Sequence, residues 1–185
     1  MSRAQVDALA DTYGAVTGSR SDRVPDALLL DTLEKFGNAI SDEEKQELIA
    51  VYAESGPPSD SVTETRGDPG LVLGYRADRL VEIMPAKRHS PLFLDGEDLL
   101  SLGPQEALAL LQRLNGGPGR YAGTGAAFDN LAISTEGFCV TDRAAGVRML
   151  GDGDERFQGR TVVLRREPYL PEDETGRFIS HSVAG

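Results

Sequence analysis

The chain has 185 residues, 39% of them apolar, and thirty acidic against nineteen basic side chains give a net charge of −11. That size and apolar content suit one domain, or one domain with an appendage, whose core needs no disulfide or metal staple. The charge disfavours nucleic acid and anionic membranes, where binding rests on Lys and Arg, and it suits a basic protein partner drawn in by the field as well as simple solubility.

No apolar run approaches the roughly 18–20 residues of a membrane span. The opening residues carry acids and no apolar h-region, so no signal peptide is expected. The single cysteine, Cys139, excludes an internal disulfide framework and points to a reduced, cytoplasmic location.

In chain order, residues 1–55 read as a helical region. Val6, Leu9, Ala10 and Tyr13 share one helix face, punctuated by Gly14 and Gly18. A second helix starts near Pro25 and presents Leu29, Leu33, Phe36 and Ile40 before Gly37-Asn38 ends it. Ser41 and Glu44 spell a capping box for a third helix, with Leu48, Ile49 and Tyr52 facing inward. Asp42, Glu43, Glu44 and Glu47 crowd its start, where acids favour the positive end of the helix dipole.

Residues 56–70, opening Gly56-Pro57-Pro58, read as a linker. The acidity is uneven across it, since residues 1–60 hold twelve acids against five bases, −7 of the total. Residues 71–170 read as an α+β domain: a mainly antiparallel sheet with one main packed helix. Leu71–Tyr75 and Leu80–Met84 are strand-like runs around a polar turn at Arg76–Arg79, and Leu92–Leu94 is a third that breaks at Asp95-Gly96. The helix runs Pro104–Leu114, with Ala107, Leu108, Leu111 and Leu114 as its stripe. Further strands are expected at Ala126–Ile133, Gly137–Val140 and Thr161–Arg165, with a hairpin turn at Thr135-Glu136-Gly137. Residues 171–185 form a charged tail, ordered only by docking.

The chemistry-bearing residues are few. His89 and His181 lack partner motifs, and two histidines with one cysteine cannot make a structural zinc site. Cys139, between Phe138 and Val140, reads as a core residue. The glycine-rich stretch from Gly117 to Gly125 lacks the Lys and Ser/Thr of a phosphate loop. Asp152, Asp154 and Glu155 fail the calcium-loop pattern and read as an acidic turn. Asp95, Glu97 and Asp98 read as a turn before the helix, or as a carboxylate site if an acid/base partner faces them. Arg66-Gly67-Asp68 reads as a chance adhesion tripeptide. No cofactor and no metal are expected.

Gly74-Tyr75, Asp78-Arg79-Leu80, Ile83, the run Phe93–Leu100 and the helix Ala107–Leu114 resemble small bacterial α/β immunity proteins of polymorphic toxin systems. The resemblance covers residues 71–141. It implies a non-enzymatic module that sequesters a protein, such as a basic toxin, by steric occlusion and charge complementarity. Asp42, Glu43, Glu47, Asp95, Glu97, Asp98, Asp152, Asp154 and Glu155 are the candidate partner-binding residues from the charge pattern. A scaffold subunit docking through its N-terminal helices and a carboxylate-dependent enzyme are the alternatives.

Overall fold

The computed structural model describes residues 1–35, 39–68, 70–85, 91–142, 144–170 and 175–183. Their centre is a nine-stranded, wholly antiparallel sheet. Six of its strands are β1 (Val16–Ser21), β2 (Val62–Gly67), β3 (Gly70–Arg76), β4 (Arg79–Pro85), β7 (Gly119–Ala122) and β8 (Gly125–Phe128). The others are β9 (Ile133–Glu136), β12 (Thr161–Arg165) and β13 (Ile179–His181). The spatial order is β1-β2-β3-β4-β12-β9-β8-β7-β13. Two short ribbons lie outside it: β5 (Phe93–Leu94) with β6 (Glu97–Asp98), and β10 (Cys139–Asp142) with β11 (Gly146–Met149). With its helices this is the α+β architecture expected from the sequence. No helix is long and apolar enough to cross a membrane among the described residues.

One face of the sheet is covered in two places. The larger core packs Ala107, Leu108 and Leu111 of α5 (Pro104–Asn115) with Tyr121, Phe128, Ile133 and Val162 from the strands. Pro104 occupies the first turn of α5, and Gly116, in the left-handed region at φ 70°, closes it. The smaller core sets Val6 of α1 (Arg3–Asp7) on Leu73 and Tyr75 of β3. The period-2 alternation along β3, Leu71-Leu73-Tyr75, is what aims these side chains at the helix.

A buried ionic cluster ties α1 to β2. Glu64 and Arg66 are each only 1% exposed. The Arg66 guanidinium donates to Glu64 (Nε 2.9 Å, Nη2 2.6 Å) and to Asp7 Oδ1 at 2.5 Å, while Arg3 donates to Glu64 from Nε at 2.9 Å and also from Nη2. Burial pushes the Glu64 carboxyl up, but the hydrogen bonds and charges of Arg66 and Arg3 outweigh it and hold it below its ordinary range. The adhesion tripeptide is therefore unusable in this fold, because its arginine is buried.

Several sequence expectations need correction. The first helix is split into α1 and α2 (Ala10–Tyr13), and Leu9 and Ala10 are exposed, so its four-residue apolar face does not exist. The region read as wholly helical contains strand β1, whose six residues are all exposed and show no alternation. Its pairing with β2 makes it a strand. Within the expected linker 56–70, residues 62–67 form β2, because Glu64 and Arg66 point into the core. The expected strand Ala126–Ile133 is two strands joined by a 3-10 turn at Asp129–Leu131, and Thr135 and Glu136 lie in β9, not in a turn. Part of the glycine-rich stretch is strand β7, where a side chain at Gly119 would meet Phe128 Cε1 at 2.9 Å. The tail supplies edge strand β13. His181 sits on it with its ring edge-on to Tyr121, whereas Phe36 and His89 lie outside the described residues.

Candidate functional site

Between β1 and β2 the chain leaves the sheet and makes a helical hairpin, α3 (Asp26–Lys35) and α4 (Asp42–Ser55). Its root is fastened by short polar contacts. Asp22 accepts from Ser61 Oγ and Thr63 Oγ1, both at 2.6 Å, and its N–H donates to the Ser61 carbonyl. Arg23 donates to the Pro57 carbonyl at 3.3 Å and lies 5.0 Å over the Tyr52 ring, and the Tyr52 hydroxyl accepts from Val24 N–H at 2.7 Å. The expected capping box is present: Ser41 Oγ accepts from Glu44 N–H at 3.2 Å, and Glu44 Oε2 accepts from Ser41 N–H at 2.7 Å. Those two contacts also hold the Glu44 carboxyl below its usual range.

Beyond the root, the hairpin is thinly packed. Leu33 is the one buried residue of α3, and α4 has none. Leu48, expected to face inward, is 48% exposed; Val51 is 54% and Leu28 53%. The inward face of α4 is Lys45, Ile49 and Tyr52, all half-buried. Leu48 and Val51 are neighbours at i, i+3 on another stripe, interleaved with Glu44, Glu47 and Glu54. Residues 22–61 hold ten acids against three bases, a balance of −7, equal to that of the whole of residues 1–60.

Of the candidate partner-binding residues, Asp42, Glu43 and Glu47 belong to this hairpin. Asp42 accepts from Lys45 at 3.1 Å, while Glu43 and Glu47 are exposed and make no ion pair with a described residue. The other six sit elsewhere. Asp95, at φ 53° in the β5–β6 turn, pairs with Arg113 of α5 at 2.8 Å, and Glu97 is exposed on β6. Asp98 accepts from Leu92 N–H at 2.9 Å and Ser101 Oγ at 2.6 Å. Burial works to raise its carboxyl, but the hydrogen bonds from Ser101, Leu92 and Leu100 and the charge of Arg160 hold it below the ordinary range. Asp154 caps the short α6 (Glu155–Gln158) and accepts from the side chain and N–H of Arg156, which hold its carboxyl down at about 2. Asp152 is exposed in the preceding turn, and Glu155 is exposed on the first turn of α6.

The acids thus occupy three separate elements, and no contact among the described residues joins them. Both Asp98 and Asp154 are locked in the ionised form by local bonds. This suits turn and cap roles and is opposite to the raised carboxyl that a general acid needs. Cys139 is buried, and burial pushes its thiol up to about 12, as fits a core residue.

The exposed apolar side chains of the hairpin are the feature that sequence reasoning missed. Their signal was present in two places: Leu28-Leu29-Leu30 is wider than one helix face can bury, and Leu48-Ile49 with Val51-Tyr52 forms two stripes where a surface helix needs one. No family model, curated protein or solved structure matches this chain.

Proposed function

We propose that the chain is a protein-binding module that captures a basic partner on the α3–α4 hairpin, in the manner of an immunity protein that sequesters a toxin. The supporting observation is the coincidence of exposed Leu28, Leu48 and Val51 with a local charge of −7 on an element fastened at its root. Apolar centres supply affinity, and the surrounding acids supply on-rate and discrimination against acidic proteins. A cationic, amphipathic surface is the matching chemistry. A second copy of the hairpin is disfavoured by like charge.

Affinity capture from the native cells tests this. The wild-type chain and a Glu43→Gln/Glu47→Gln variant, which leaves Ser41 and Glu44 in place, serve as baits. A basic protein enriched by the wild type, depleted by the variant and released by salt is expected, because exposed charges are screened over about 8 Å at physiological ionic strength. Identical captured sets with no salt dependence refute the reading.

The same exposed leucines support a second reading, a scaffold subunit docked through the hairpin in a larger assembly. It differs in its salt response: a constitutive apolar contact survives high salt and is lost in Leu48→Gln, whereas the charge-neutral variant retains it.

A further inference from the structure

Away from the hairpin, three arginines gather around the β3–β4 turn and the end of β12. The β3–β4 turn places Arg76 and Arg79 directly across from each other. Like charges in that position are destabilising. The turn between them holds two non-glycine residues in the left-handed region, Ala77 at φ 47° and Asp78 at φ 58°, a conformation with its own cost for residues with a Cβ. Arg166, just past β12, is the third cation, anchored by its N–H to the Val81 carbonyl at 2.9 Å. None of the three pairs with a carboxylate among the described residues. Arg3, Arg23, Arg66, Arg113, Arg120, Arg156 and Arg165 all do; Arg20 and Arg148 also lack such a pair among the described residues, but they lie outside the depression that the three share.

The three line one depression of about 700 Å³, within the range of small-molecule sites. Its other walls are apolar or already satisfied. Val81, Pro168, Tyr169 and Leu170 give a greasy side, and Arg165 donates to Glu82 at 3.0 Å and lies 4.7 Å over the Tyr169 ring. Glu167 is the remaining acid of the lining. The depression therefore has an excess of positive charge in a chain that is otherwise strongly acidic.

We infer that this depression binds a small organic phosphate, with the guanidinium groups of Arg76, Arg79 and Arg166 around the phosphate and the Val81–Leu170 wall against an apolar body. Guanidinium forks match oxyanions bidentately. A dianion with three terminal oxygens answers three unpaired arginines better than a monocarboxylate does, and it removes the Arg76–Arg79 repulsion. The site is independent of the hairpin and of the protein partner proposed for it.

Calorimetric titration at fixed ionic strength with phenyl phosphate, inorganic phosphate and benzoate tests the assignment. Saturable one-to-one binding of phenyl phosphate is expected, tighter than that of inorganic phosphate or benzoate. Arg79→Gln and Arg166→Gln each weaken it by about tenfold or more, the worth of a charge-assisted hydrogen bond. Arg148→Gln, an exposed arginine outside the depression, leaves it unchanged. All these positions are exposed, so no variant melts below the wild type, Arg79→Gln melting slightly higher because it relieves the cross-strand repulsion. At one fixed phenyl phosphate concentration the rise in melting temperature is larger in the wild type and Arg148→Gln than in Arg79→Gln or Arg166→Gln. Unsaturable heats, or equal effects of Arg79→Gln and Arg148→Gln, overturn the site. Benzoate binding as tightly as phenyl phosphate overturns the choice of phosphate.

Discussion

Ser21 and Val62 are direct partners across β1 and β2, although the entire α3–α4 hairpin lies between them in sequence. The two strands would form an ordinary β-hairpin if the intervening residues 22–61 were exchanged for a tight turn. An Asn-Gly pair has the backbone preference for such a two-residue connection. The excised protein is expected to unfold cooperatively within about 5 °C of the parent, on the order of 1–2 kcal/mol for a domain of this size, while losing the captured partner. Thermal denaturation followed by circular dichroism is the check; an excised chain without a cooperative transition would show that the hairpin is part of the core.

Truncation before β1 has the opposite outcome. Removing α1 uncovers Leu73 and Tyr75 and strips Arg66 of Asp7 and Glu64 of Arg3. Breaking such a buried pair by removing one partner costs about 3–5 kcal/mol. Arg66→Ala is expected to lower stability by that order in urea denaturation, and exposed Arg20→Ala by less than about 0.5 kcal/mol. Equal losses in the two variants would refute a buried ionic tie.

The same cluster sets an acid limit. The Glu64 carboxyl is held below its ordinary value of 4.5 in the fold. A depressed carboxyl stabilises the native state fully above the unfolded value and loses that contribution as pH falls through the folded one. Stability of the wild type should therefore drop below about pH 4.5 more steeply than that of Glu64→Gln, which lacks this titration. Parallel acid profiles for the two proteins would rule out the linkage.

Cys139 should resist alkylation in the native state. Its thiol is buried and pushed up to about 12, so little thiolate exists at neutral pH. Iodoacetamide labelling is expected to track global unfolding across a urea series. Full labelling within minutes in buffer would place the thiol at the surface.

Gly137 and Gly146 share the left-handed region, at φ 83° and 78°. They differ in surroundings. A Cβ on Gly137 would lie 2.4 Å from the Arg156 carbonyl, whereas one on Gly146 meets nothing within 4 Å. Gly146→Ala should cost about 1–2 kcal/mol, the strain of that backbone region. Gly137→Ala should cost more, because the chain around α6 must also shift; melting temperatures in the reverse order would refute the comparison.

Segments that carry their own pattern were legible in sequence. The α5 stripe, the strands at 70–76, 79–85 and 161–165 and the Ser41–Glu44 cap all state their structure through local spacing. Segments whose structure is imposed from outside were not. β1 is polar throughout, and β2 buries Glu64 and Arg66, a pair that reads as solvent-facing until α1 supplies Arg3 and Asp7. For the candidate site, charge was visible in Asp42, Glu43 and Glu47, but the exposure of Leu48 depends on what α4 fails to meet. The unpaired state of Arg76 and Arg79 depends on register, which composition does not encode.

The polar makeup of β1 also bears on how molecules behave in crowded solution. As the outermost strand among the described residues, it has a backbone edge that no other described strand covers. Every side chain along it is exposed and Arg20 adds charge, while the register slip between Val16 and Gly18 bends the strand out of line. Irregular, polar and charged borders of this kind discourage edge-to-edge stacking. Changing Thr17, Ser19 and Arg20 to valine would make that border apolar and uncharged, turning a border that ends the sheet into a template that favours extending it toward fibrils.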